Sequence, residues 1–280
     1  MKNDSFRLSG ISGSIKYVIL TTWSFIVIIP VWTMIINSMK PKMRIYADPF
    51  GLPKHWTFEG YLSIFKDSSF FVYFQNSTII TTISILLILL IGSLAAYAIS
   101  RWNSKFSRFS YIFFLAGMMV PIRIGSINLL QIIKRLGLLD NLFGLLPIYI
   151  AMGLPLAVFV LTEFIKEVPI ELIDAAHIDG ASNLKIFWVI ILPLTRPAMA
   201  TVAIFNLVNI WNDLWFPLIF IRSESQRTLM LGVTRLFGQY QTDWTKIFST
   251  LTLSAVPIIV LYLLMAKQFI KGLTAGAVKG

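Results

Sequence analysis

Long apolar runs without a single charge are the feature that most constrains the fold of this chain. They occupy residues 17–39, 68–100, 141–162 and 247–266. A helix needs roughly 20 mainly apolar residues to cross the ~30 Å hydrocarbon core of a bilayer. Because backbone polar groups find no water there, they must be satisfied within the spanning structure, as they are in a helix. We therefore predict an all-α membrane protein.

Two further apolar stretches bring the predicted number of transmembrane helices to about six. Residues 109–120 are interrupted by Pro121 and Arg123, and residues 197–212 are interrupted by Asp213. An even number of spans places both termini on the same side of the membrane. Since no hydrophilic stretch is long enough for a further domain, the whole chain, residues 1–280, is predicted to be a single transmembrane domain.

The basic residues between the spans indicate the orientation only weakly. Arg101, Lys105 and Arg108 form an acid-free connection, and the tail from Lys267 onward is also acid-free, which favours the cytoplasm for both. However, the 24 Lys and Arg residues divide evenly between the two sides. The net charge of +11 is scattered between apolar runs, so it indicates anionic membrane lipid rather than nucleic acid as a partner.

The composition argues against a catalytic or metal centre. The chain has no Cys and two His, and no pair of carboxylates is placed for acid–base chemistry. It also lacks the G-x-x-x-x-G-K-[ST] loop that cradles nucleotide phosphates. We therefore predict no catalytic residue, no metal ligand and no cofactor held by this chain.

The polar segment between the fourth and fifth spans carries signals for two consecutive short helices. Pro169 suits a first helical turn, Gly180 can end that helix, and Ser182 can cap a second one, which Pro193 is predicted to stop. The apolar face of the second helix is predicted to comprise Leu184, Phe187, Trp188 and Ile191. These patterns leave two interpretations open, namely a docking surface for a partner protein and an amphipathic elbow at the membrane interface.

One run of residues in this segment resembles a known family. The sequence from Asp174 to Ala181, followed by Leu-Pro-Leu at 192–194 and by Pro197, resembles the EAA loop of binding-protein-dependent ATP-binding-cassette importers. In that family the loop, here about residues 166–197, forms a coupling helix that docks on an ATPase subunit. The resemblance assigns ATPase coupling to Glu171, Asp174, Ala175, Ala176, Asp179, Gly180 and Ala181. Asp174 departs from the family pattern, which usually has Glu there.

The resemblance covers nearly the whole chain and is closest to the G subunit of maltose permeases. Outside the loop it is carried by Asn76-Ser77, by residues 95–98 with Arg101, by Trp211-Asn212-Asp213 and by the ending 272–280. It implies one permease subunit of an ATP-driven importer for a sugar or oligosaccharide. The implied partners are a second, related permease in a heterodimer, a dimer of ATP-binding subunits that holds ATP and Mg²⁺, and an extracellular or periplasmic sugar-binding protein.

The same resemblance extends to location and to the C-terminal tail. It implies the cell or inner membrane of a bacterium or archaeon, with both termini cytoplasmic. In maltose-type relatives the tail, here about residues 267–280, reaches into the ATPase dimer interface. The residues assigned to this contact are Gly272, Thr274, Gly276 and Lys279. The glycines suit an irregular backbone, and a frayed terminus is the alternative.

Polar residues within the spans are candidates for the substrate path, because polar groups in lipid are costly. Asn206, Asn209 and Asp213 are spaced i, i+3 and i+7, so they are predicted to share an inward face. The other candidates are Trp211, Asn212, Asn128 and Gln131. Amides and aromatic rings can meet sugar hydroxyls and ring faces, but hydrogen bonding between helices explains the same residues. Asp213 also fits a position at the outer headgroup level.

An ATP-independent secondary transporter or channel is the alternative function. Proton coupling favours several ionisable groups deep within the spans, and this chain offers few beyond Asp213 and Glu163. The composition therefore favours the ATP-driven importer.

Overall fold

Helices account for almost all of the regular structure. The computed structural model describes residues 11–102, 104–237 and 242–277, with side chains except at 11–14, 68 and 268–277. In chain order the α-helices are α1 (Ile11–Asn37), α2 (Lys42–Ala47), α3 (Glu59–Lys66), α4 (Ser68–Arg101), α5 (Lys105–Met119), α6 (Ser126–Arg135), α7 (Leu146–Lys166), α8 (Ile170–Ile178), α9 (Asn183–Ile186), α10 (Leu192–Leu194), α11 (Arg196–Trp211), α12 (Trp215–Phe220), α13 (Leu229–Val233) and α14 (Trp244–Ala277).

The helices long and apolar enough to cross a membrane match the sequence prediction. Among the described residues, four candidates stand alone, at Ile15–Asn37, Ser69–Arg101, Leu142–Lys166 and Trp244–Lys267. Two bent pairs pass the same test together, Lys105–Met119 with Ile122–Arg135 at 82° and Asn183–Leu194 with Arg196–Trp211 at 74°. Counting each bent pair as one span gives six. The prediction of an all-α membrane protein with about six spans is confirmed.

The third span is interrupted where the sequence predicts. Helix α5 ends at Met119, and Val120 adopts an extended backbone conformation with φ −80° and ψ 118°. The ring of Pro121 disfavours helical geometry at the residue before it, which explains this break. A short 3-10 turn, Ile122–Gly125, then leads into α6.

The fifth span has a second break that the sequence analysis missed. Helix α11 ends at Trp211, so the predicted interruption is confirmed, but the chain also bends at Thr195 before α11 begins. The prediction that Pro193 stops the preceding helix is wrong, because α10 continues through Leu194. Pro193 lies in the first turn of α10, where a missing N–H costs little.

The described chain divides into two compact units. The first comprises the chain up to Asp67 together with Leu236–Leu253. Within it, the hydroxyls of Ser38 and Tyr61 lie 2.6 Å apart, and the Ser249 hydroxyl donates to the Ser38 carbonyl at 3.2 Å. These hydrogen bonds stabilise the end of α1 within the first unit.

The second unit comprises Ser68–Arg235 with the chain from Ser254 on, and α4 and α7 lie at its centre. The two helices approach closely, since a Cβ added to Gly92 would lie only 2.8 Å from the Cβ of Ala157. Ile88 and Leu161 are fully buried beside this crossing. Small residues allow helix backbones to come into van der Waals contact, which drives helix association in a membrane.

Candidate functional site

The segment between α7 and α11 contains the two short helices that the sequence predicts. Pro169 is the N-cap of α8, and Glu171 lies in its first turn, where its negative charge is favourable near the helix N-terminus. Ile173 is buried at 4% exposure and anchors α8 to the rest of the second unit. Local signals therefore predicted where α8 begins.

The end of α8 is a Schellman motif built around Gly180. This residue has φ +75°, its N–H donates to the His177 carbonyl at 3.0 Å, and the Ala181 N–H donates to the Ala176 carbonyl at 2.9 Å. These two hydrogen bonds satisfy carbonyls that the last helical turn leaves open. Gly180 thus ends α8, as predicted, and turns the chain sharply into the next helix.

The second arm of the segment begins as predicted but buries a different face. The Ser182 hydroxyl accepts a hydrogen bond from the Lys185 N–H at 3.3 Å, which confirms the predicted cap. Phe187 and Ile191 are buried, but Leu184 is 60% and Trp188 is 47% exposed, so the predicted single apolar face is wrong. For Trp188 the reason is the π-helical turn Phe187–Ile191, whose wider period rotates the residues after Phe187 relative to an α-helix. Leu184 precedes this turn and lies in the first turn of the arm.

The outer surface of α8 combines acidic, small and apolar residues. Of the residues assigned to ATPase coupling, Ala176 and Ala181 are half-buried and the rest, Glu171, Asp174, Ala175, Asp179 and Gly180, are exposed. Ile178, beside the turn, is 86% exposed. Small residues next to an unpaired apolar side chain let another backbone come close, which suits a docking surface.

The C-terminal tail is helical further than the sequence predicts. Helix α14 continues to Ala277, so Gly272, Thr274 and Gly276 lie on helical backbone and the expected irregular backbone is wrong there. Their side-chain surroundings and Lys279 lie outside the described residues. The assignment of these residues to an ATPase contact stays a prediction.

Three of the polar candidates for the substrate path are buried and bonded within the chain. The Asn206 amide donates to the Val202 carbonyl at 2.9 Å, and the Trp211 indole N–H donates to the Ser254 carbonyl at 3.0 Å. Asp213 accepts hydrogen bonds from the Tyr149 hydroxyl at 3.0 Å and from the N–H groups of Trp215 and Phe216. The Asn206 bond lies within α11, the Trp211 bond joins α11 to α14, and Asp213 connects Tyr149 on α7 to the start of α12. The contribution of Tyr149 could not be identified from the sequence.

The other candidates lie on the surface of the described chain. Asn209, Asn212, Asn128 and Gln131 are all exposed. Asn206 and Asp213 are buried, whereas Asn209 is exposed, so the expectation that the three residues share an inward face is wrong within the single chain. The structure does not bring all seven candidates into one site.

Comparison with known proteins identifies the kind of molecule that carries these features. The family of binding-protein-dependent transport system inner membrane components matches residues 88–275. The chain belongs to this family. The permease is therefore a multi-pass membrane component of a transport system rather than an enzyme, and the resemblance to permeases of ATP-binding-cassette importers is confirmed.

Permease proteins of other transport systems are similar to this chain over nearly its whole length. The permease is 34% identical to a multiple sugar-binding transport system permease protein of Streptococcus mutans, over 94% of this chain and 96% of the relative. It is 31% identical to a diacetylchitobiose uptake system permease protein of Streptomyces coelicolor, over 94% and 88% of the two chains. A crystal structure of a bacterial ABC transporter involved in the import of the acidic polysaccharide alginate contains a chain with the same fold. That chain matches with a TM-score of 0.81 at 22% identity, over 96% of the permease and 100% of that chain.

A polar cluster at the opposite end of the permease's second unit was missed by the sequence analysis. Asp140 accepts hydrogen bonds from the N–H groups of Arg222 and Ser223, each at 2.7 Å. Glu224 accepts from the Tyr73 hydroxyl at 3.0 Å and forms an ion pair with Arg235. Asp140 also has φ +59°, which is uncommon for a residue other than glycine. Because Asp140 and Tyr73 lie far along the chain from the loop at 222–224, no local pattern identifies the cluster.

The polar cluster is expected to make the stability of this loop depend on pH. Hydrogen bonds from the Ser223 hydroxyl and from backbone N–H groups hold the pKa of Asp140 below its usual value. Hydrogen bonds from Arg235 and Tyr73 lower the pKa of Glu224 in the same way. A carboxyl whose folded pKa is lowered contributes stability above its ordinary pKa, and this contribution is lost as the pH falls through the lowered pKa. We expect hydrogen exchange at 222–229, corrected for the intrinsic rate, to accelerate below about pH 4.

Substitution of the two carboxylates separates this effect from general acid unfolding. Asp140→Asn together with Glu224→Gln should exchange faster than wild type already near neutral pH, and should show a weaker dependence on pH in this loop. Amides of α7 serve as the internal reference. Equal exchange profiles for the variant and the wild type would contradict the stabilising role of the two carboxylates.

Proposed function

We propose that the permease forms half of the translocation pathway of an ATP-driven importer for a sugar or oligosaccharide. The observation that carries this proposal is the geometry of α8, a short helix that ends in a Schellman motif and presents acidic and small residues around the exposed Ile178. Such a surface suits the cleft of a partner ATPase. Support for a sugar as the substrate comes from the relatives, whose names refer to sugar-binding and diacetylchitobiose transport systems.

In the proposed assembly, partner subunits bind the nucleotide, complete the pathway and deliver the substrate. ATP and Mg²⁺ are held by a dimer of ATP-binding subunits, which meets the permease at α8 and, by resemblance, at the tail about 267–280. A second, related permease completes the pathway as a heterodimer, and an extracellular or periplasmic sugar-binding protein delivers the substrate. The whole chain acts as a single permease domain in a bacterial or archaeal cell or inner membrane, with both termini in the cytoplasm.

The exposed polar side chains are the best candidates for lining the path. Asn209 and Asn212 lie on and just after α11, and exposed amides facing lipid are costly. We therefore place them, with Asn128 and Gln131, on a surface shared with the second permease or with a water-filled path. Asn206, Trp211 and Asp213 act behind this surface, because their polar groups already bond within the chain.

The proposed mechanism is alternating access. Binding of ATP closes the two ATPase subunits, and this closure displaces α8. Since α8 follows α7 after a short connection, its displacement changes the arrangement of the membrane helices and exposes the path to the opposite side.

The test is sugar uptake into proteoliposomes that contain the permease with its neighbouring subunits. We expect uptake of labelled oligosaccharide only when ATP, the ATPase subunits and the binding protein are all present. Replacing ATP by ADP should reduce uptake to the level of empty liposomes. A proton gradient without ATP is the control for the alternative function, and uptake driven by that gradient alone would overturn the importer proposal.

A further inference from the structure

The last two turns of α4 contact the chain on both sides of α8. The Arg101 guanidinium donates to the Ile165 carbonyl at 2.7 Å and to the Val168 carbonyl at 2.9 Å. These carbonyls belong to the end of α7 and to the connection that directly precedes Pro169. Arg101 is thus bonded to the main chain that leads into α8.

Arg101 is favourably placed for these contacts. The carbonyl end of a helix carries partial negative charge, and a cation that donates there forms charge-assisted hydrogen bonds. Ile165 and Val168 are buried, at 0% and 8% exposure. Because water has little access to the two carbonyls, loss of the guanidinium would leave them without these donors in a desolvated position.

One helical turn earlier, Tyr97 contacts the chain that follows α8 and α9. Its ring centroid lies 5.7 Å from that of Phe187, and both side chains are buried. Tyr97 and Arg101 are spaced i, i+4, so they lie on the same face of α4. The end of α4 therefore holds the α8 segment at its entry through Val168 and at its exit through Phe187.

Helix α5 is tied to the same turn of α7. The Tyr111 hydroxyl donates to the Glu163 carboxylate at 2.9 Å, and the Lys166 ammonium donates to the same oxygen at 2.8 Å. The last turn of α7 is consequently bonded to α4 on one side and to α5 on the other. The base of α8 is a joint between three membrane helices rather than a free loop.

We propose that Arg101 is the positioning residue that transmits the displacement of α8 to α4. The proposal rests on the proposed function, because α8 must first be moved by an ATPase. Two donors on one rigid guanidinium fix the end of α4 to the entry of α8, so a displacement of that entry carries α4 with it. As α4 packs against both α7 and α11, this contact links α8 to the helix that carries Asn209, a candidate for the path.

The experiment compares Arg101→Gln and Arg101→Lys with the wild type in the assembled importer. Arg108→Gln is the matched control, because it removes a charge from an exposed side chain in the first turn of α5. Retained ATPase subunit, ATP hydrolysis and sugar uptake are measured on the same proteoliposomes. We expect Arg101→Gln to retain the ATPase but to transport about tenfold less sugar per ATP, since charge-assisted hydrogen bonds are lost.

Arg101→Lys should recover part of the coupling, because its ammonium is also a cationic donor but lies on a more flexible side chain without the planar guanidinium. Arg108→Gln should match the wild type. If Arg101→Gln fails to assemble, Tyr97→Leu removes the contact with Phe187 and should also lower the sugar transported per ATP. Wild-type coupling in Arg101→Gln, or in Tyr97→Leu if that variant replaces it, would overturn the proposal.

A distance measurement supplies a readout that a purely structural role would not change. The chain has no Cys, so spin labels can be attached at cysteines introduced at Leu94 on α4 and at Leu184 after α8, which are both exposed. In the wild type the label distance should stay constant between nucleotide-free and ATP-bound importer, whereas in Arg101→Gln it should change with ATP. A constant distance in Arg101→Gln would also overturn the proposal.

The outcome for the wild type separates the two proposals. Sugar-stimulated ATP hydrolysis by the wild type, with no effect of either variant, would overturn the role of Arg101 and leave the importer function intact. A wild-type preparation that neither binds an ATPase nor takes up sugar with ATP would overturn the importer function and, with it, the role of Arg101.

Discussion

Gly180→Val is expected to reduce ATP-driven transport by at least about tenfold while the membrane helices stay folded. Gly180 has φ +75°, a conformation that costs a non-glycine residue about 1–2 kcal/mol and is a clear outlier for a β-branched one. A Cβ added there meets no atom within 4 Å, so the penalty comes from the backbone alone. The strain is relieved when the Schellman motif opens, which displaces Ile178 and Asp179 from the docking surface.

The matched control for this prediction is Gly180→Asn. Asn adopts the left-handed conformation more readily than other non-glycine residues, so the Schellman motif should persist and transport should stay close to the wild-type rate. The measurement is the initial rate of ATP-dependent uptake at equal amounts of assembled permease. Equal rates for the Val and Asn variants would contradict the role assigned to the turn.

Local chemistry explains why the beginning and end of α8 could be predicted from the sequence. Pro169, Gly180 and Ser182 each act through their own backbone geometry or through a hydrogen bond to a residue close in the chain. The interruption at Pro121 was predictable for the same reason, because a proline restricts the residue before it. Signals of this kind do not depend on how the helices pack.

Packing between distant parts of the chain explains what the sequence did not predict. The π-helical turn at Phe187–Ile191 places Phe187 against Tyr97 and leaves Trp188 exposed, and an α-helical period cannot anticipate that rotation. Likewise, the hydrogen bond between Tyr149 on α7 and Asp213, in the connection between α11 and α12, joins residues that are distant in the sequence. A spacing of i, i+3 and i+7 therefore identified polar residues on α11 but not which of them the chain itself buries.

The polar cluster around Asp140 and Glu224 could not be predicted from the sequence either. Asp140 and Tyr73 contact residues that lie 82 or more positions away along the chain, and no local pattern connects them. Only the fold shows that two carboxylates fix the same loop.

Ala175→Glu is expected to abolish binding of the ATPase, the largest effect that we predict. Ala175 is exposed on α8, where a small side chain lets another backbone approach. A Glu at this position would bring an additional charge next to Asp174 and Asp179 and into a desolvated interface, and burying an unpaired charge costs several kcal/mol. The fold of the permease should not change, because residue 175 is exposed in the chain itself.

Two variants serve as controls, one for the size of the side chain at residue 175 and one for the position of the added charge. Ala175→Ser keeps the side chain small and should bind the ATPase like the wild type. Leu184→Glu introduces the same charge on the same segment at a residue that is 60% exposed and lies outside the proposed coupling set. It should retain the ATPase as well.

The most direct test of coupling through α8 is co-purification of the detergent-solubilised permease with its neighbouring subunits, scored as ATPase subunit retained per permease. We predict a retained ATPase for the wild type, Ala175→Ser and Leu184→Glu, and at least a tenfold loss for Ala175→Glu, equivalent to about 1.4 kcal/mol. Monodisperse elution of every variant establishes that the permease is folded. An ATPase retained equally by Ala175→Glu, or absent from the wild-type complex, would contradict coupling to the ATPase through α8.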